Sequence, residues 1–313
     1  MEPGLLILHP RAQLNGRCSE LLEHLKSRFE LRIEESRFPG QTREHTRSLP
    51  HGFAGVVFTA GGDGTLHEAI NGWGDKGFPK GPRFCPLPLG SGNDFLFSID
   101  RRLANLDSFL SFPIGQQNTA DLGRVSYQRN GGEESRYFCV GATTGFSAVV
   151  TERRAALARR VPGRLSYLLA LFLSLAFWKN RAVRVESGES PQLSDIFFNF
   201  NAANVRHYGG GMVSAPGACP FDGTLNAVCM NLTLAQALLA LPENFRGRFE
   251  RVKNVHLQEL REPFTVDCSP TCPVQADGEL LGQTPMRVEC LPGALPLALP
   301  TLPRGRTRPG LEA

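Results

Sequence analysis

Residues 53–73, FAGVVFTAGGDGTLHEAINGW, leave this chain few options. An aromatic and β-branched run from Phe53 to Ala60 stops at Gly61, Gly62, Asp63, Gly64 and Thr65. Beyond the glycines, Leu66, Ala69, Ile70 and Trp73 recur at the i, i+3, i+4, i+7 spacing of one helix face. The segment reads strand, glycine turn, helix, which is one βα unit of a parallel sheet. A glycine turn at a helix N-terminus suits phosphate: the backbone can approach oxygens closely, amides donate, and the helix dipole favours negative charge. Thr65 adds a hydroxyl donor, while Asp63 would repel a bare anion and so points to a nucleotide that carries a metal ion. An ordinary tight βα turn is the alternative reading. A second turn of similar make-up, Gly90-Ser91-Gly92-Asn93-Asp94-Phe95, follows the short run Pro86 to Leu89. Two such loops on one parallel sheet face the same end, so Ser91 and Asn93 could complete the pocket opened by the first loop.

Around these loops the N-terminal third alternates apolar runs with helical patterns, at Leu5–Leu8, Cys18–Phe29, Phe53–Ala60, Leu66–Trp73 and Leu87–Leu89. From about Arg124 the runs become β-rich, at Tyr137–Val140, Asp195–Phe200, Leu225–Met230, Val252–Leu257 and Arg287–Leu291, which predicts a second, β-rich domain. NGGEES (130–135) and SGESPQLS (187–194) read as hairpin turns or loops. The aperiodic PRGRTRPGLEA at 303–313 reads as a disordered tail.

A formal charge of +4 gives no footprint for nucleic acid. The opening MEPGLLILHPR has no basic flank followed by an apolar stretch of signal-peptide length, so the eight cysteines are expected as reduced, part-buried thiols of a cytoplasmic protein. Cys268 and Cys272 lie four apart with no second pair or nearby His to complete a zinc set. The longest apolar run, Leu165 to Trp178, is too short to cross a bilayer. Arg153, Arg154, Arg159, Arg160 and Arg164 precede it, so the pair reads either as a buried helix with a solvated basic neighbour or as a segment lying on a lipid surface.

Four motifs occur in order: GGDGTLHEAINGW, PLGSGNDF, HYGGGMVSAPGACPFDGTL and VQADGELLG. Together they resemble the diacylglycerol kinase catalytic domain family, which includes bacterial lipid kinases and sphingosine and ceramide kinase relatives. The likeness runs from about Leu5 to Pro300. It implies an α/β plus β fold: an N-terminal, NAD-kinase-like α/β domain for ATP at 1–123, to which about 294–302 return, and a C-terminal β-sandwich-like domain for lipid at 124–293.

By the same resemblance, Gly61, Gly62, Asp63, Gly64, Thr65, Leu66 and His67 hold the ATP phosphates, and Ser91, Asn93 and Thr42 contact the nucleotide. Asp63, Asp94 and Asp121 organise Mg2+ through water. Asp222, with the carbonyls of Cys219 and Thr224, is a metal-linked set. Glu279 in QADGE matches the general base. Without the family, DGE would read as a turn with solvated acids. Asn204 and the Gly209–Gly211 run are expected to shape lipid access beside the cleft.

One departure stands out. The first strand of the family ends in an Asn-Pro loop rich in Ser and Gly, whereas this chain has His9-Pro10-Arg11-Ala12-Gln13-Leu14-Asn15-Gly16. The resemblance implies an ATP- and Mg2+-dependent kinase of a diacylglycerol-like or sphingoid lipid, working in the cytoplasm at the inner membrane surface. A kinase of NAD or a soluble metabolite shares the GGDGT loop, and a catalytically weak, nucleotide-sensing lipid-binding protein shares the fold. The lipid cannot be named from apolar residues, and a homodimer is compatible with the sequence.

Overall fold

Leu5, Leu6, Ile7 and Leu8 are consecutive and all buried, which marks a strand covered on both faces. In the computed structural model this is β1 (Glu2–Leu8), the first strand of a parallel sheet. The structure describes residues 1–10, 16–158, 161, 164–187, 190–248 and 251–303. Most of the departing loop after His9, Arg159 and Arg160 of the basic cluster, and the tail from 304 lie outside the described residues.

The first part continues with α1 (Cys18–Lys26), β2 (Phe29–Glu35), α2 (Gln41–Arg47), β3 (Val56–Gly61), α3 (Asp63–Gly74), β4 (Arg83–Pro88), α4 (Asp94–Ile99) and α5 (Leu106–Leu110). Strands β4, β3, β1 and β2 run parallel in that order, with β2 at the edge. The polar edge strand β2 (FELRIEE) and the short α2 (QTREHTR) carry almost no apolar periodicity, and the sequence reading passed over both.

The second part opens with the long β5 (Ile114–Arg129), which turns through Asn130 and Gly131, both at positive φ, into β6 (Gly132–Phe138). It continues with β7 (Gly141–Gly145), α6 (Phe146–Leu157), α7 (Arg164–Phe177), the hairpin β8 (Arg181–Ser187) and β9 (Ser190–Phe197), and β10 (Asn199–Ala203). Then come β11 (His207–Tyr208), β12 (Met212–Val213), β13 (Leu225–Met230), α8 (Leu234–Phe245), β14 (Val255–Leu260), β15 (Phe264–Ser269), β16 (Pro273–Ala276) and β17 (Glu279–Pro300). The strand expected from Val252 begins at Val255. α8 was not anticipated; it begins with a capping box in which Thr233 and Gln236 satisfy each other's end of the helix.

The 22-residue β17 ties the two parts together. Its first half pairs antiparallel with β16, β15 and β5. Its far end lies parallel to β4 at Leu297, and Leu295, Leu297, Ala298 and Leu299 are buried in the same core as β1 and β3. A second core, built on Tyr127, Phe138, Phe197, Phe200 and Phe264, fills the β-rich part. A small third one around Phe198, Met230 and Ala240 lies under α8.

Candidate functional site

The two glycine loops meet backbone to backbone. A Cβ on Gly90 would come 2.3 Å from the Gly62 Cα, so neither β3–α3 nor β4–α4 could carry a side chain at that contact without moving. Asn93 adopts a left-handed φ of 55° and fastens its loop by accepting from Gly90 N (3.1 Å) and donating to Gly90 O (3.2 Å). Leu66 is buried in the core beneath, and Thr65 is buried at the start of α3.

Four aspartates are spent on backbone amides. Asp63 accepts from Asp94 N (2.9 Å) and Phe95 N (3.1 Å), capping α4 and locking one loop to the other. Burial raises the Asp63 carboxyl to about 6, although those two amides oppose the rise. Asp94 accepts from Gly210 N and Gly211 N, each at 2.9 Å. Gly209, Gly210 and Gly211 all have positive φ, a conformation open to glycine, and their successive amides form a nest that closes on a carboxylate from the first part. Asp121 takes Gly223 N and Gly293 N, both at 2.7 Å, and donates its own amide to Pro220 O. Asn204, buried, donates to Asp121 O and Cys139 O.

The fourth aspartate, Asp277, carries no role in the sequence reading, although it stands in the same motif as Glu279. It occupies the β16–β17 turn at φ 47° and accepts from Cys139 N (2.9 Å), Val140 N (2.9 Å) and Gly141 N (3.0 Å). His67 of α3 reaches it as well, with Nδ1 3.0 Å from Asp277 Oδ2, while Nε2 lies 3.0 Å from Glu279 Oε2. The His67 side chain is 2% exposed and that of Glu279 50%. Burial works against a charged imidazole, yet hydrogen bonds to Asp277 and Glu279 carry its pKa up to about 9. The hydrogen bond from His67 holds the Glu279 carboxyl below its ordinary range.

A single cavity of about 1480 Å³ joins these features. At one end it is bordered by Gly40, Thr42, both glycine loops and the exposed Ser91. Thr42 is itself buried and donates to Ser36 Oγ (2.9 Å). Arg43, another residue the sequence reading passed over, borders this end with its guanidinium held by both oxygens of Asp75. The cavity passes Asp277, Gly278 and Glu279 and widens into an apolar chamber walled by Leu171 and Leu175 of α7, Leu238, Leu241 and Phe245 of α8, and Met230.

The sequence-derived site residues therefore divide. Gly61 to Thr65, His67, Ser91, Thr42, Asp94 and Glu279 line this cavity, whereas Leu66 and Asn93 support it from below. Cys219, Asp222 and Thr224 lie on a turn that does not border it; there Asp222 is exposed and accepts from Thr224 N (2.9 Å) and Oγ1 (2.8 Å). Asp121 joins that turn rather than Asp63 and Asp94.

No three His, Cys, Asp or Glu side chains among the described residues converge to hold a metal directly. At Asp63, however, burial and the neighbouring charges of Asp94 and Asp277 favour the protonated form, and a hard cation nearby would relieve that burden. Carboxylate oxygens at a glycine loop suit a magnesium ion that keeps its water shell.

The walls of the apolar chamber are built inside out. On α7, Ser166, Ala170 and Ser174 are the buried residues, while Phe172 and Phe177 are 64% and 70% exposed. On α8, Ala240 and Asn244 are buried and Leu239 is 79% exposed. Arg154, exposed on α6, sets its guanidinium over the Tyr167 ring at the chamber's rim. No helix among the described residues is long and apolar enough to cross a membrane.

Comparison with known proteins gives the same division of the chain. The diacylglycerol kinase catalytic domain family matches residues 3–125, and the family described as the YegS C-terminal NAD kinase beta sandwich-like domain matches 141–299. A protein named diacylglycerol kinase from Mycobacterium tuberculosis is 29% identical over 248 residues, covering 78% of this chain and 77% of its own. One named "Probable lipid kinase YegS-like", from Pectobacterium atrosepticum, is 25% identical over 300 residues, 95% of each chain. The crystal structure of a diacylglycerol kinase from Bacillus anthracis superposes with a TM-score of 0.65 at 17% identity, over 95% of this chain and 97% of that one, a likeness of fold.

Proposed function

The chain belongs to the family that joins a diacylglycerol kinase catalytic domain to a YegS-type C-terminal domain, and from that premise we propose that it is a lipid kinase. It transfers the γ-phosphoryl group of ATP to a hydroxyl of a diacylglycerol-like or sphingoid lipid. The observation that carries this reading is the continuity of one cavity from the glycine loops, past Glu279, into an apolar chamber.

In this reading the amides of the GGDGT turn and the α3 N-terminus hold the triphosphate, with Thr42, Ser91 and Arg43 at the nucleotide end. The lipid chains fill the space between α6, α7 and α8, which excludes water and brings the hydroxyl to the turn at 277–279. Glu279 accepts the hydroxyl proton as the oxygen forms its bond to the γ-phosphorus and the bond to the β-phosphate oxygen breaks, releasing ADP. Magnesium, held through water by Asp63 and Asp94, supplies neutralisation of the phosphate charge. Asp222, with the carbonyls of Cys219 and Thr224 and with Asp121 behind them, would hold a separate, structural cation. The outward leucines and phenylalanines of α7 and α8, beside Arg153 and Arg154, rest on an anionic membrane face, so that lipid enters the chamber without leaving the bilayer.

The test is transfer from γ-labelled ATP with Mg2+ into a mixed lipid extract, comparing the wild type with Asp63→Ala. A labelled lipid that is lost in the variant supports the proposal and identifies the acceptor. Label found only in a soluble product overturns it in favour of a metabolite or NAD kinase, and nucleotide binding without transfer favours a lipid-binding sensor.

A further inference from the structure

His67 poses a proton-counting problem. Both of its ring nitrogens lie 3.0 Å from carboxylate oxygens, and a neutral imidazole has one N–H to give. The other contact would then set a nitrogen lone pair against an oxygen lone pair in a nearly solvent-free position. Asp277 resolves the count on one side. It already accepts three backbone amides and a contact from the Cys139 thiol at 3.5 Å, so it is the carboxylate most completely committed to its charged form. The remaining proton must lie between His67 Nε2 and Glu279 Oε2.

We infer that His67 is a buried imidazolium, anchored by Asp277, that acts as a positioning residue for Glu279: it fixes Oε2, leaves Oε1 to meet the lipid hydroxyl, and keeps the carboxylate ionised when the triphosphate arrives. This deepens the proposed function and rests on the reading of Glu279 as the base.

The need for such a cation follows from charge. Glu279 stands near Asp277, Asp94 and Asp63, and a bound nucleotide brings several more negative charges to the same cavity. Each of these favours protonation of Glu279, and a protonated carboxyl cannot accept the substrate proton. The opposing charges are few. Arg43 of α2 and Arg136 of β6 bear on Glu279, but Arg43 is already paired with both oxygens of Asp75. Cys139 stays a neutral thiol because burial and Asp277 raise its pKa. Asn71, one turn along α3, sets its amide 3.4 Å from Nε2 and donates to His67 O and Tyr137 O, so it steadies the ring without supplying charge. His67 is thus the cation in direct contact with the base.

The pKa directions agree with the geometry: His67 rises and Glu279 falls. Glu279 then stays ionised below the usual carboxylate range, and the bridge is lost as pH rises through about 9.

The experiment compares wild type, His67→Asn and Glu279→Gln in lipid phosphorylation from pH 5 to 10 at saturating ATP. It is paired with ¹⁵N NMR of the histidine rings, in which His67→Asn identifies the His67 signals. The inference expects both His67 nitrogens protonated at pH 7.5 and titrating near 9. In His67→Asn the acid limb of kcat should move up by about one pH unit and the alkaline limb should vanish, with KM for ATP within about threefold. The loss in kcat should be about tenfold near pH 6 and recover substantially by pH 8. A neutral ring at pH 7.5, or a variant that is slower by the same factor at every pH, overturns the inference and leaves His67 a packing residue. Full turnover by Glu279→Gln overturns it together with the base assignment, and only that outcome does both.

Discussion

The two ends of the cavity solve opposite problems. At the polar end, charge is brought in and tied down: Asp63, Asp94 and Asp277 each accept two or more backbone amides, and the glycine loops touch at Gly62 and Gly90. At the apolar end, nothing holds the outward faces of α7 and α8, whose small residues pack inward and whose leucines and phenylalanines point away. A geometry for phosphoryl transfer has to be exact to fractions of an ångström, so its parts are interlocked. A chamber for lipid chains needs volume and greasiness, and many side chains supply both.

That contrast can be broken at its sharpest point first. Glu279→Gln should lower lipid phosphorylation by about 100-fold or more while nucleotide affinity is kept, measured by single-turnover transfer and equilibrium ATP binding. Next, Asp94→Ala strips the acceptor from the Gly210 and Gly211 amides and should cost about 2–3 kcal/mol in denaturant unfolding. An unchanged midpoint would mean the nest is not what joins the two parts. On the apolar side, Phe172→Glu with Leu239→Glu should weaken binding to phosphatidylglycerol-rich vesicles by about tenfold, yet spare turnover of a short-chain acceptor in solution. Equal loss on both substrates would place those residues in the transfer site instead.

The smallest effect is a pH dependence. The Asp63 carboxyl titrates near 6 in the folded protein, above its ordinary range. Its charged form is therefore disfavoured by folding, so the contribution is present at low pH and lost as pH rises towards 6. Relative to Asp63→Asn, wild-type stability should decline by about 1–2 kcal/mol between pH 4 and 6.5 and then level off. A flat difference would remove the desolvation argument for a cation at that carboxylate.

The same contrast explains what could be read from the sequence. GGDGT and GSGND are legible because only particular residues permit a loop pair with backbone contact, and the run from Val56 to Gly61 is legible because a doubly covered strand is apolar throughout. Asp277 and Glu279 were reached through a resemblance, and the role of Asp277 was missed, since three amides from β6–β7 arrive from 136–138 positions away and leave no local pattern. β2 and α2 escaped because an edge strand and a short surface helix need little apolar surface. For α7, composition could not say which way the leucines point. Ser166, Ala170 and Ser174 recur at four-residue spacing, but inward packing of that stripe is a tertiary fact.

The long strand β17 has a bearing on how the protein is made. A ribosome that has finished the first 125 residues has delivered β1 to β4 but not Leu295, Leu297, Ala298 and Leu299, which complete their core. At ordinary elongation rates that wait is on the order of ten seconds or more. Throughout it, the nucleotide half exposes the flank of β4 as an unfinished edge, open to holdase chaperones and to unwanted strand pairing, until its closing piece arrives from the far side of the lipid half.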